Sequence, residues 1–178
     1  MEIRRSALVG HPAERMFELI EAAEHYPAFL PWCASATIIE RTDELVAARI
    51  EVAWRGARFS FVTRNAKRRP QWMSIGLAEG PFRRFEGHWQ LTPLSDWGCR
   101  VEFVLSYDFA VSVVGSLAGL VFDPLANTLM DAFIQRADQV ALLAPPPAPA
   151  ALPAPPAPPA ALESPAPPAG PVPPFGEP

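Results

Sequence analysis

The chain has 178 residues, and its 15 basic and 19 acidic side chains are mixed along it to a net charge of −4, which argues against a dedicated nucleic-acid binder and a DNA partner. Its 2 cysteines, Cys33 and Cys99, are too few and too far apart for a disulfide framework or a zinc site. The longest apolar run, Phe109 to Phe122, falls short of the roughly 18 residues that span a bilayer, and MEIRRSALVGHPAER lacks the apolar core of a secretory signal, so the expected location is cytoplasmic.

In chain order, EIRRSALV over residues 2 to 9 reads as a first strand closed by Gly10 and His11. Pro12 then suits the first turn of a helix in which Met16, Phe17, Leu19, Ile20 and Ala23 recur at helical spacing. The helix runs into HYPAFLPWC, where Pro27 and Pro31 fix φ and push the preceding residues toward extended geometry. A stiff, irregular connector rich in aromatics is predicted there.

The apolar period then changes to two. In ELVAARIEVAW, Val46, Ala48, Ile50, Val52 and Trp54 share one face; Arg55 and Gly56 offer a tight turn; and ARFSFVTRN follows with Phe59, Phe61 and Thr63 inward. QWMSIGLA is a less regular strand, RFEGHWQLTPL puts Phe85, Gly87, Trp89 and Leu91 on one side, and the turn SDWG leads to CRVEFVLSYDF, with Cys99, Val101, Phe103, Leu105, Tyr107 and Phe109 aligned. Short turns between consecutive strands imply an antiparallel sheet.

From about Val114 to Leu143 the periodicity predicts a long helix whose buried face holds Phe122, Ala126, Leu129, Met130, Phe133, Ala137 and Val140, with a break or kink near Pro124. Val113 to Phe122 has no polar face and is expected to act as a lid or membrane-touching element. After Leu143 the chain is almost entirely Ala and Pro, which predicts a disordered, polyproline-like tail over residues 144 to 178 beside a folded domain over residues 1 to 143. One helix, a run of about six to seven strands and a long final helix make an α+β fold, in which a bent sheet closed by that helix can leave an apolar cavity.

YPAFLPWC, TRN at 63 to 65, GPFRRFEGHWQLTPLS, CRVEFVLSYDF and VFDPLANTLMDAFIQRADQV together resemble the coenzyme Q-binding START-domain family, within the polyketide cyclase/START superfamily, over about residues 1 to 143. The resemblance implies the helix-grip (START/Bet v1-like) fold and a non-enzymatic chaperone for a quinone or similar lipid, with ubiquinone as bound ligand and no cofactor required. Its RatA-like branch also carries the label of a toxin that blocks association of the ribosomal subunits, which makes the large ribosomal subunit an alternative partner. The superfamily's cyclases supply a third reading, opposed by the absence of any carboxylate pair or positioned acid and base.

On this reading Tyr26, Phe29, Leu30 and Trp32 rim the cavity; Phe61, Trp89, Phe103, Leu105, Phe122, Met130 and Phe133 line it; and Thr63 and Tyr107 orient a head group by hydrogen bonds. The same aromatics also suit a plain core. Two basic clusters, Arg64, Lys67, Arg68 and Arg69, and Arg83 with Arg84, are candidates to face anionic lipid at the inner surface of a membrane, or ribosomal RNA. His88, beside Glu86 on an outward face, reads as a solvated residue.

Overall fold

The computed structural model describes residues 1–110 and 117–143, which fall within a unit spanning Met1–Pro145. The Ala/Pro-rich tail lies outside the described residues, and so do residues 113–116 of the expected lid and the side chains of its residues 117–122, Phe122 included.

Seven strands, β1 (Glu2–Val9), β2 (Cys33–Arg41), β3 (Leu45–Trp54), β4 (Ala57–Arg68), β5 (Trp72–Glu79), β6 (Phe82–Ser95) and β7 (Gly98–Phe109), form one antiparallel sheet in the order β1-β7-β6-β5-β4-β3-β2. From β2 to β7 each strand pairs with its successor, and β1 joins from the far end of the chain with Glu2 opposite Ser106 and Val9 opposite Cys99. Helix α1 (Ala13–Glu21) and helix α2 (Leu117–Leu143) supply the rest of the core, α2 packing on α1, β1, β4 and β7. The sheet curls around the long C-terminal helix, the α+β architecture that the alternation predicts.

Strand alternation decides what the sheet buries. Phe61 and Thr63 on β4, Phe85, Trp89 and Leu91 on β6, and Val101, Phe103, Leu105 and Tyr107 on β7 are all buried, while Arg84, Glu86 and Arg100 face water. The turn between β3 and β4 needs a left-handed backbone at both central residues, and Arg55 (φ 47°) and Gly56 (φ 85°) adopt it, as a two-residue hairpin turn requires. Gly87 is demanded by sterics: a Cβ there would lie 2.0 Å from the carbonyl oxygen of Val104 on the adjoining strand.

Three elements differ from expectation. HYPAFLPWC is more regular than its prolines suggest: Ala23–Ala28 forms a 3₁₀ helix with Pro27 inside it, and a turn closed by Cys33 N–H donating to the Leu30 carbonyl at 2.9 Å delivers the chain into β2. Strand β2 itself is not apparent from the sequence, because it is a sheet edge with two register shifts and little apolar alternation. Finally, α2 is one continuous helix through Pro124.

Candidate functional site

Between the inner face of the sheet and α2 lies an apolar cavity of about 90 Å³. Strand parity brings Ile50 from β3, Phe61, Thr63 and Asn65 from β4, Met73 and Ile75 from β5, Phe85 and Trp89 from β6, and Phe103 and Leu105 from β7 onto its wall. Helix α1 adds Ile20, the connector adds Tyr26 and Trp32, and α2 adds Leu129 and Phe133, one helical turn apart.

Phe133 is the hub of the mouth. Its ring stacks edge-on against Tyr26 (5.3 Å between centroids), Phe29 (5.2 Å) and Trp89 (5.4 Å). Arg136, one turn on, sits over the Phe29 ring at 5.7 Å. The Tyr26 hydroxyl donates to the Ile20 carbonyl, so the phenol is internally satisfied, and burial pushes its pKa upward.

Among the described residues the lining carries no carboxylate, imidazole, thiol, ammonium or guanidinium. Its polar side chains among those residues are the hydroxyl of Thr63, the amide of Asn65, the indole N–H groups of Trp32 and Trp89, and the internally bonded Tyr26 hydroxyl. Among the described residues no cluster of three or more His, Cys, Asp or Glu is placed to hold a metal ion, and no helix is long and apolar enough to cross a membrane.

Of the residues expected at the cavity, Tyr26, Trp32, Phe61, Thr63, Trp89, Phe103, Leu105 and Phe133 line it. Leu30 and Met130 are buried in the core without reaching the cavity wall, and Phe29 packs behind Tyr26 and Phe133. Tyr107 is also buried away from the cavity, beside a cleft formed by Met1 to Arg5 and Asn127. The lining also includes Ile20, Ile50, Asn65, Met73, Ile75, Phe85 and Leu129, which were not singled out. Three of the seven share strand or helix parity with a residue that was, Asn65 with Thr63, Phe85 with Trp89 and Leu129 with Phe133, whereas Ile20, Ile50, Met73 and Ile75 come from α1, β3 and β5, which held no expected site residue.

The basic clusters are largely neutralised. Lys67 departs from the expectation of a surface contact: its side chain is 2% exposed and its ammonium donates to Glu21 of α1. Alternation from Phe61 through Thr63 and Asn65 turns it inward. Arg69 reaches the same carboxylate at 3.0 Å and stacks on Phe17, while Arg64 pairs with Glu40 and Arg84 with Glu86. Arg68 and Arg83 are exposed and make no ion pair among the described residues. Arg41 closes the network around Glu21 and grips Glu24 through its two terminal guanidinium nitrogens, which holds the Glu24 carboxyl below its usual range.

This fold is that of the START-like proteins, and residues 9–134 match the family described as polyketide cyclase / dehydrase and lipid transport, to which the chain belongs. Within it, the chain is 36% identical over 138 residues to the ribosome association toxin RatA of Pseudomonas aeruginosa, covering 78% of this chain and 96% of that one. It is 37% identical to RatA of Escherichia coli K12, covering 78% and 88%. The coenzyme Q-binding protein COQ10 homolog B of Xenopus laevis is a more distant relative, 23% identical over 79% of this chain and 59% of its own. Among solved structures, a START superfamily protein from Mycobacterium smegmatis superimposes with a TM-score of 0.65 at 19% identity, covering 78% of this chain and 98% of that one. The ZhuI aromatase/cyclase of Streptomyces sp. R1128 superimposes with a TM-score of 0.68 at 14% identity, covering 79% and 95%. At these identities the superpositions speak for the fold alone.

Proposed function

We propose that the chain is a non-enzymatic binder of a hydrophobic ligand of the isoprenoid-quinone class, held between the curled sheet and α2 and exchanged with the inner face of a membrane from the cytoplasm. The observation that carries this reading is a concave wall that, among the described residues, is apolar apart from a few uncharged polar groups and holds no carboxylate, imidazole, thiol, ammonium or guanidinium. The driving force is burial of ligand hydrocarbon, about 25 cal/mol per Å². The named relation to a coenzyme Q-binding protein agrees with it.

A cavity of about 90 Å³ is smaller than the roughly 150 Å³ that admits a benzene ring, so a quinone enters only if the wall moves. Leu129 and Phe133 of α2 form the side opposite the sheet. Mass spectrometry of organic extracts from natively purified protein tests the reading: a stoichiometric quinone or other neutral lipid is expected, and an empty, well-folded sample counts against it.

A second reading, association with the large ribosomal subunit, is favoured by the names of the RatA relatives at 36% and 37% identity. On this structure its cationic contacts would come from Arg68 and Arg83 rather than from Lys67 or Arg69. Cosedimentation with ribosomes that falls steeply with salt, and is lost in the double variant Arg68→Glu, Arg83→Glu, is what this reading requires.

A further inference from the structure

We infer that Thr63 and Asn65 form a two-residue polar anchor that selects ligands bearing a neutral, carbonyl-type hydrogen-bond acceptor; this rests on the hydrophobic-ligand reading above. Both lie on the inward parity of β4, two positions apart and therefore about 6–7 Å along the strand, and both line the cavity.

Thr63 is 4% exposed, yet its hydroxyl makes no hydrogen bond to any described group. Thr63 itself is paired on both sides of β4, with Ala48 of β3 and Leu77 of β5. A hydroxyl that faces an apolar cavity and has no partner among the described residues is free to pair with a ligand acceptor.

Asn65 is held in one orientation. The backbone N–H of Gly76 on β5 donates to its Oδ1 at 3.3 Å. Since a backbone N–H can only donate, the amide oxygen must face β5, which leaves the two Nδ2 hydrogens as the free end. The site thus presents donors, framed by Met73, Ile75, Trp89 and Leu105.

Donors with no accompanying cation define the ligand. A carbonyl oxygen of a quinone, ketone or ester satisfies them while its hydrocarbon fills the apolar wall. A carboxylate would be desolvated there without a counter-charge. A pure hydrocarbon would leave the donors unpaired, and rejecting a group that fails to satisfy a buried polar site is a strong source of selectivity.

The test is an amide chemical-shift titration of the full chain with butyl-1,4-benzoquinone, butylbenzene and 4-butylbenzoate, which match in apolar body and differ in acceptor. Expected is a quinone that binds more tightly than the other two and moves the Asn65 side-chain amide resonances. Thr63→Val, of nearly equal volume, should weaken the quinone about 5- to 10-fold and leave butylbenzene within about twofold. Asn65→Asp, which exchanges the donors for an acceptor, should weaken the quinone at least as much. If neither variant changes the ratio of quinone to butylbenzene affinity, the anchor is wrong while the cavity reading stands. Tighter binding of 4-butylbenzoate would overturn the preference for a neutral acceptor. If none of the three ligands perturbs the cavity amides of the unmodified chain, both the anchor and the hydrophobic-ligand reading fail.

Discussion

Replacing Glu21 with Gln should be among the most damaging single changes available in this domain. The Glu21 side chain is 7% exposed and that of Lys67 2%, and among the described residues Lys67 is paired only with this carboxylate. Removing the charge strands a buried ammonium, which costs about 3–5 kcal/mol, against about 5–15 kcal/mol of total stability for a typical domain. The midpoint of thermal unfolding should fall by about 10–20 °C. The mirror change, Lys67→Met, leaves Glu21 with Arg69 at 3.0 Å and Arg41 at 4.0 Å, and should cost less, about 1–2 kcal/mol. Adding Lys67→Met to Glu21→Gln should restore much of the loss, because no unpaired charge then remains buried. Urea denaturation followed by circular dichroism reads all three variants. A Glu21→Gln cost below about 1 kcal/mol, or a Lys67→Met cost as large as that of Glu21→Gln, would refute the assignment of Glu21 as the counter-charge that makes the buried lysine tolerable.

Gly87→Ala should abolish soluble expression, since the added methyl meets backbone 2.0 Å away, whereas Gly10→Ala, with nothing within 4 Å, should express normally; equal yields would show that β6 and β7 can part locally. The pH dependence of stability should carry a signature of Glu24. Its hydrogen bond from Arg41 depresses the folded-state pKa below the ordinary 4.5, so the stabilisation is present above pH 4.5 and lost as the pH falls through the folded value. Thermal unfolding from pH 6 to pH 3 should decline less steeply in Arg41→Gln than in the parent chain, and parallel curves would show that the pair contributes nothing.

What could be read from the sequence was whatever alternation carries. Phe61, Thr63, Trp89, Phe103 and Leu105 fall on one face of three strands by parity alone, and the structure puts all five on one wall. Tyr107 obeys the same parity and still misses the cavity, because parity fixes the face of a sheet and not the position along a curved one. Lys67 shows the complementary limit: within AKRRP it looks like a charged turn, and only its partner, 46 residues earlier on α1, makes an inward lysine stable. The strand Cys33–Arg41 was hidden for a related reason, since an edge strand with register shifts buries few side chains. Local pattern reports what a residue buries, not what it meets.

The pairing of β1 with β7 also has a consequence for synthesis. Of the seven strands of this sheet, β1 leaves the ribosome first and finds its hydrogen-bonding neighbour only after residues 99–106 have followed it, since Val9 opposes Cys99 and Glu2 opposes Ser106. At about 5–20 residues per second, that is a wait on the order of 5–20 s during translation. For that interval Ile3 and Val9, both destined for the interior, have no strand to lie against. The nascent chain must carry its N-terminal segment exposed until nearly the whole sheet exists, so the strand made first is among the last to be secured.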